Sequence, residues 1–198
     1  MRSTEDNPPE HLASLSVPCQ PLRRDTAGRL VEVDIQHPIS VLIGPLPNGW
    51  AAREARTIIR GLLQREGLEP DDVFEAELAV DELAANAEKH ARPPYELRVL
   101  AVGGIPTWCE IVDADPDLGW IPALLTRSAP PLLVERGRGL ALVRELSQGH
   151  CRAYPTVITT YAAPGKAIAF ALPTRSGTRL TCPSPLDLGR RPIRLRSS

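Results

Sequence analysis

Lysine is nearly missing from this chain. Lys89 and Lys166 are the only two, and arginine carries the rest of the positive charge. Alongside plentiful Ala, Pro and Leu, that bias reflects GC-rich coding, a trait of the genome and not of a mechanism. An excess of one charge is lacking too, with 23 basic against 24 acidic side chains. Nothing global therefore points to nucleic acid or to an anionic membrane as a partner. No run approaches the ~18 apolar residues of a membrane span. Residues 1–9 lack the apolar centre of a secretory leader, so a soluble cytoplasmic protein is the expectation. The four cysteines, Cys19, Cys109, Cys151 and Cys182, form no C-x-x-C pair and have no His at zinc-like spacing. Buried or incidental thiols are expected over a disulfide framework. No internal repeat is visible.

A chain of 198 residues allows one domain of ordinary size plus tails. Residues 1–39 read as a largely irregular N-terminal arm with a short strand at 30–35. Residues 41–43 form another short strand. Over 50–66, Ala55, Ile58, Ile59, Leu62 and Leu63 share one helical face, and Gly67 ends the helix. Pro70, Asp71 and Asp72 open a second helix, with acids where the helix dipole favours them, and it stops before Pro93 and Pro94.

The period then changes. Residues 96–102 and 107–113 alternate as strands about Gly103 and Gly104, which predicts a β-hairpin. Residues 115–135 are Pro-rich and irregular, long enough for a functional lid. A third helix follows over 140–147. Strands at 157–162 and 167–172 come next, with Pro164, Gly165 and Lys166 as their turn. Residues 174–198 read as a disordered, solvated Pro/Arg-rich tail with Asp187 as the only acid. Segregated helices and a mixed, mostly antiparallel sheet predict an α+β two-layer sandwich over residues 40–173.

Three segments could carry chemistry. In the second helix, Glu77, Asp81, Ala84 and Glu88 fall together as a solvent stripe, and Glu82 and Asn86 lie off it beside Leu78, Ala79, Leu83 and Ala85. A carboxylate and a carboxamide on an apolar side need partners, because desolvating each unpaired costs on the order of a few kcal/mol. A hard cation with its phosphates would supply them: the amide oxygen suits Mg²⁺, and the carboxylate could take a proton from an attacking oxygen. Lys89 and His90 follow within reach of phosphate. Taken alone, a Glu and an Asn on a helix are more often simply hydrated. Asp113 ends an apolar strand; ionised, it is acceptor-only and suits an exocyclic amine, although a strand-ending Asp more often just starts a turn. Gly137, Arg138, Gly139 and Leu140 open a helix whose free N–H groups favour phosphate, but glycines punctuate loops everywhere.

The order of these segments resembles the histidine-kinase-like (GHKL) ATPase superfamily. Glu82-Leu83-Ala84-Ala85-Asn86-Ala87-Glu88-Lys89-His90 resembles its N-box, Val112-Asp113 its G1 box, and the run from Glu135 through Gly137 and Gly139 to Val143 its G2 box. Gly165-Lys166 resembles the start of its closing strand. Within the superfamily the chain is most similar to the anti-sigma-factor serine/threonine kinases of the RsbW/SpoIIAB type. The resemblance implies a Bergerat-type fold, ATP and Mg²⁺ as cofactors, Asn86 as metal ligand and Glu82 as catalytic base. It further implies adenine reading by Asp113 and phosphate contacts at Lys89, Gly137, Arg138, Gly139 and Leu140, under a lid at 115–135. The implied partners are a sigma factor and a STAS-type anti-sigma-factor antagonist, with a homodimer as one assembly. A binding module without catalysis is the alternative. The chain departs from the G1 pattern: Asp113-Ala114-Asp115-Pro116-Asp117 has no glycine where the superfamily has two. A stiffer lid hinge and a crowded base pocket follow.

Overall fold

Hydrophobic spacing builds the helical layer. Helix α1 (Ala51–Arg65) buries Ala55, Ile58, Ile59 and Leu63 at a 3.6-residue period. It ends in a left-handed cap: Gly67 at φ 67° donates to Gln64 O at 2.9 Å, and Leu68 N–H to Leu63 O at 3.3 Å. Helix α2 (Pro70–His90) starts with proline and two acids in its first turn and buries Val73, Ala76, Ala79, Val80, Leu83 and Ala87. The computed structural model describes residues 13–17, 22–24, 30–32, 39–126, 138–177 and 179–180.

The supposed solvent stripe of α2 is its interface with α1. Glu77 and Ala84 are buried. Arg60 grips Glu77 through two bonds of 2.6 and 2.5 Å, Arg56 pairs with Asp81 at 3.2 Å, and Glu88 accepts the Ala51 N–H at 3.1 Å. The acids align because they meet the arginines and the N-terminus of α1, not because they meet water.

The described residues hold eight strands: β1 (Ala13–Val17), β2 (Leu22–Arg24), β3 (Leu30–Glu32), β4 (Ile39–Leu46), β5 (Tyr95–Val102), β6 (Ile105–Asp113), β7 (Cys151–Ile158) and β8 (Ala163–Ala171). Six form one sheet in the order β1-β4-β5-β6-β8-β7, and β2–β3 pair separately. Every pairing is antiparallel. Strand β1 lies within the stretch read as an arm, so that stretch supplies one sheet edge. Among the described residues there are also two short helices, α3 (Ile121–Leu124) in the loop expected to be irregular and α4 (Arg138–Leu146).

Alternation along the strands sorts the core. Leu97, Val99, Cys109, Ile111, Ile168 and Phe170 face the helices and join Ile59, Leu83, Leu140 and Val143 in one cluster. The opposite face carries Val41, Ile43, Leu100, Trp108, Ala169 and Ala171. Buried acids on that face are partnered: Arg98 Nε donates to Glu96 at 2.7 Å, Thr160 N–H to Glu96 at 3.1 Å, and the Tyr154 hydroxyl to Glu110.

Two more expectations are corrected. Pro164, Gly165 and Lys166 are not a turn; they lie inside β8, opposite Val157, Thr156 and Pro155. The turn falls at 159–162, and Cys151–Ile158 forms the full partner strand. Gly165 is there for closeness: a Cβ at that position would meet the Asp113 carbonyl oxygen at 2.1 Å. The tail is not solvated where it begins. Pro173 bridges to Arg179, Arg175 Nε donates to Glu66 O, and Trp108 Nε1 donates to Leu180 O at 2.8 Å. Residues 181–198 lie outside the described residues. Of the thiols, Cys109 and Cys151 are free, the first buried, and Cys19 and Cys182 lie outside the described residues.

Candidate functional site

The site forms at one end of the sheet, where the C-terminal half of α2 meets α4. Glycine makes that meeting possible. A Cβ on Gly139 would stand 2.4 Å from Glu82 Oε2 and 3.2 Å from Asn86 Nδ2. The first turn of α4 thus lies directly against the carboxylate and the carboxamide, which sit one turn apart on α2. Both side chains are half-buried, and among the described residues neither has a hydrogen-bond or ion-pair partner. The first turn of a helix carries partial positive charge, which favours an anion beside it.

Asp113 reaches the same end from β6. Tyr95, the first residue of β5, feels both Glu88 of α2 and Asp113; burial above all, then those two charges, pushes its hydroxyl up. Asp113 itself is enclosed, and its carboxyl is pushed up by desolvation, against the pull of Lys166 and the Asp115 N–H. Lys166 Nζ donates to Asp113 Oδ1 at 2.9 Å and to the Asp115 carbonyl at 2.9 Å.

Where the G1 pattern lacks glycines, aspartates build the turn. Asp113 accepts the Asp115 N–H at 2.9 Å, Asp115 the Asp117 N–H at 3.2 Å, and Asp117 the Gly119 N–H at 2.9 Å. Each acid caps the backbone two residues on, a ladder of Asx turns. The loop then packs down: Leu125 is buried, and Arg144 of α4 donates to Thr126 O at 3.0 Å. The rest of the stretch expected to be a lid, 127–135, lies outside the described residues.

Glu82, Asn86 and Gly139 are therefore gathered where α2 meets α4, and Asp113 lies beside the chain just past the C-terminus of α2, where the Ala114 N–H donates to Arg92 O at 2.9 Å. Leu140 faces the core as a packing residue and offers only its backbone to a ligand. Arg138 and Lys89 are exposed at the ends of α4 and α2. Gly137 lies outside the described residues. Among the described residues no group of three His, Cys, Asp or Glu stands close enough to hold a metal alone. Asn86 fits the one-protein-ligand pattern in which phosphate and water complete the shell. Lys166 was missed. Its sequence signals were a resemblance to the start of the closing strand and being a lysine in an arginine-rich chain; its pairing needs the β6–β8 register, in which it stands opposite Asp113.

Residues 48–156 match a family model described as a histidine kinase-like ATPase domain. No curated protein matches the chain. The matched stretch holds Glu82, Asn86, Lys89, Asp113, Arg138, Gly139 and Leu140, and stops before Lys166. No described helix is long and apolar enough to cross a membrane.

Proposed function

Because this chain belongs to the histidine kinase-like ATPase domain family, we propose that it binds ATP with Mg²⁺ between α2, α4 and the end of β6. On this reading it transfers the γ-phosphate to a serine or threonine of a small antagonist protein, and its binding to a sigma factor is the regulated output. One observation carries the reading: the glycine contact that sets the α4 N-terminus against Glu82 and Asn86. Asn86 would hold the cation, which lowers the cost of charge on the phosphates. Glu82 takes the hydroxyl proton as the serine or threonine oxygen bonds to the γ-phosphorus and the bond to the bridging oxygen breaks, leaving ADP. Asp113 accepts from the adenine amino group, and the first N–H groups of α4 hold phosphate oxygens. Such transfer is mainly positioning and charge stabilisation, so this small set is chemically sufficient.

A second reading is favoured by one observation. The turn after Asp113 is tied by aspartates where glycines would let it move, which fits a partner-binding module with weak nucleotide affinity. Thermal melting with Mg-ATP separates the two. A binder at 100 times its dissociation constant gains about 2.7 kcal/mol. Labelled ATP, purified antagonist and Glu82→Gln then test the chemistry. Retained ATP binding with lost transfer supports the base; equal transfer removes Glu82 from that role. Absence of a melting shift leaves the binding module.

A further inference from the structure

Lys166 is one of two lysines in the chain, and it is spent inside the protein. Its side chain is 5% exposed and that of Asp113 2%. Besides its 2.9 Å bonds to Asp113 Oδ1 and the Asp115 carbonyl, its Nζ lies 3.5 Å from Asp115 Oδ2. The Asp115 N–H donates to the same Asp113 Oδ1. One oxygen of Asp113 therefore carries both donors, and Oδ2 is the oxygen left for a ligand. Gly165 permits this by letting β8 approach the Asp113 carbonyl.

We propose that Lys166 is a positioning residue of the base-reading end of this site: by holding Asp113 Oδ1, it keeps the carboxylate an anionic acceptor and offers Oδ2 to the amino group of a purine. This rests on the nucleotide reading above. Burial works against the anion, and the groups around it are mixed. Asp115 adds negative charge from the following turn. Tyr95 of β5 and, beyond it, Glu88 of α2 face the same end. Arg92, between α2 and β5, adds positive charge near Asp115. Lys166 alone among these bonds Asp113 as a cation. Without it the carboxyl protonates at higher pH, and a protonated acid presents a donor where the purine also presents one.

The test uses the full chain with Lys166→Met, Lys166→Gln and Lys166→Arg. Calorimetry reads Mg-ATP affinity against pH, and carbon NMR reads the Asp113 carboxyl directly. Lys166→Gln guards against a misfolded Met variant, because its amide can still donate to Oδ1 but brings no charge. The expected result is a variant-to-wild-type affinity ratio that is flat at high pH and falls, by up to about tenfold per pH unit, once pH drops below the raised Asp113 titration in the Met and Gln variants, with Arg restoring it. The Asp113 carboxyl should titrate higher in both neutral variants. A pH-independent loss, or wild-type affinity throughout, overturns the role. Should wild type bind no ATP, the nucleotide reading falls on its own. The NMR titration then still judges Lys166, and an unmoved Asp113 overturns its charge-holding part.

Discussion

Gly165 approaches the backbone of Asp113 so closely that a Cβ on residue 165 would lie 2.1 Å from the Asp113 carbonyl oxygen. Backbone on both sides has no rotamer to yield. Gly165→Ala should therefore part β6 from β8 and cost about 1–3 kcal/mol, the range of overpacking in a tight core. Urea denaturation checks it; an unchanged midpoint would show that the strands shift freely. The Lys166–Asp113 pair lies one residue on, so ATP affinity should fall as well.

Gly139 is a different case. The atoms a Cβ would meet are the ends of Glu82 and Asn86, side chains that can swing away. Gly139→Ala should leave the melting temperature nearly unchanged and cost at least tenfold in Mg-ATP affinity, about 1.4 kcal/mol. Melting without nucleotide and calorimetry with it read the two effects separately. Loss of fold instead of loss of binding would mean that the glycine serves helix packing alone.

The α+β layers were legible because each rests on a local period. Ala55, Ile58, Ile59 and Leu63 mark α1, and the Gly103–Gly104 pair, with φ of 61° and 85°, marks the β5–β6 hairpin. The Glu82, Asn86 and Gly139 contact was legible only as two separate motifs; what joins them is packing between α2 and α4. Reading failed where long-range contact decides. Glu77 and Glu88 look solvated until α1 is laid beside them, and Gly165 looks like a turn until β6 is. Arg179 looks like tail until its side chain is found 3% exposed against Glu75 and Leu146.

That arginine makes its own prediction. Its Nη2 donates to Glu75 at 3.1 Å and to Leu146 O at 3.0 Å, but among the described residues its Nε and Nη1 are buried without partners. A buried donor left unpaired costs about 1–3 kcal/mol. Arg179→Met keeps the stem's packing and removes those donors, so it should be neutral or stabilising. Arg179→Ala also loses the packing and should destabilise. Chemical denaturation of the pair decides; a Met variant as weak as the Ala variant would show that the charge itself holds the segment down.

On the sheet face away from the helices, Glu110 is buried beside Arg98, Arg152 and the Tyr154 hydroxyl. Desolvation dominates and pushes its carboxyl above the ordinary value of 4.5, against the lowering effect of those neighbours. The sign follows. Just above that ordinary value the unfolded chain has lost this proton and the folded chain has kept it. Folded protein thus binds more protons, and stability falls as pH rises through the window up to the folded value. Asp113, raised in the same direction from 3.8, adds to the fall. Glu110→Gln keeps an acceptor for Tyr154 and does not titrate. Its stability relative to wild type should therefore rise with pH across that window, read as the difference in urea midpoints from about pH 4 upward. A difference that stays flat, or that falls with pH, would mean that Arg98 and Arg152 outweigh burial and that the anion is the favoured form in the fold.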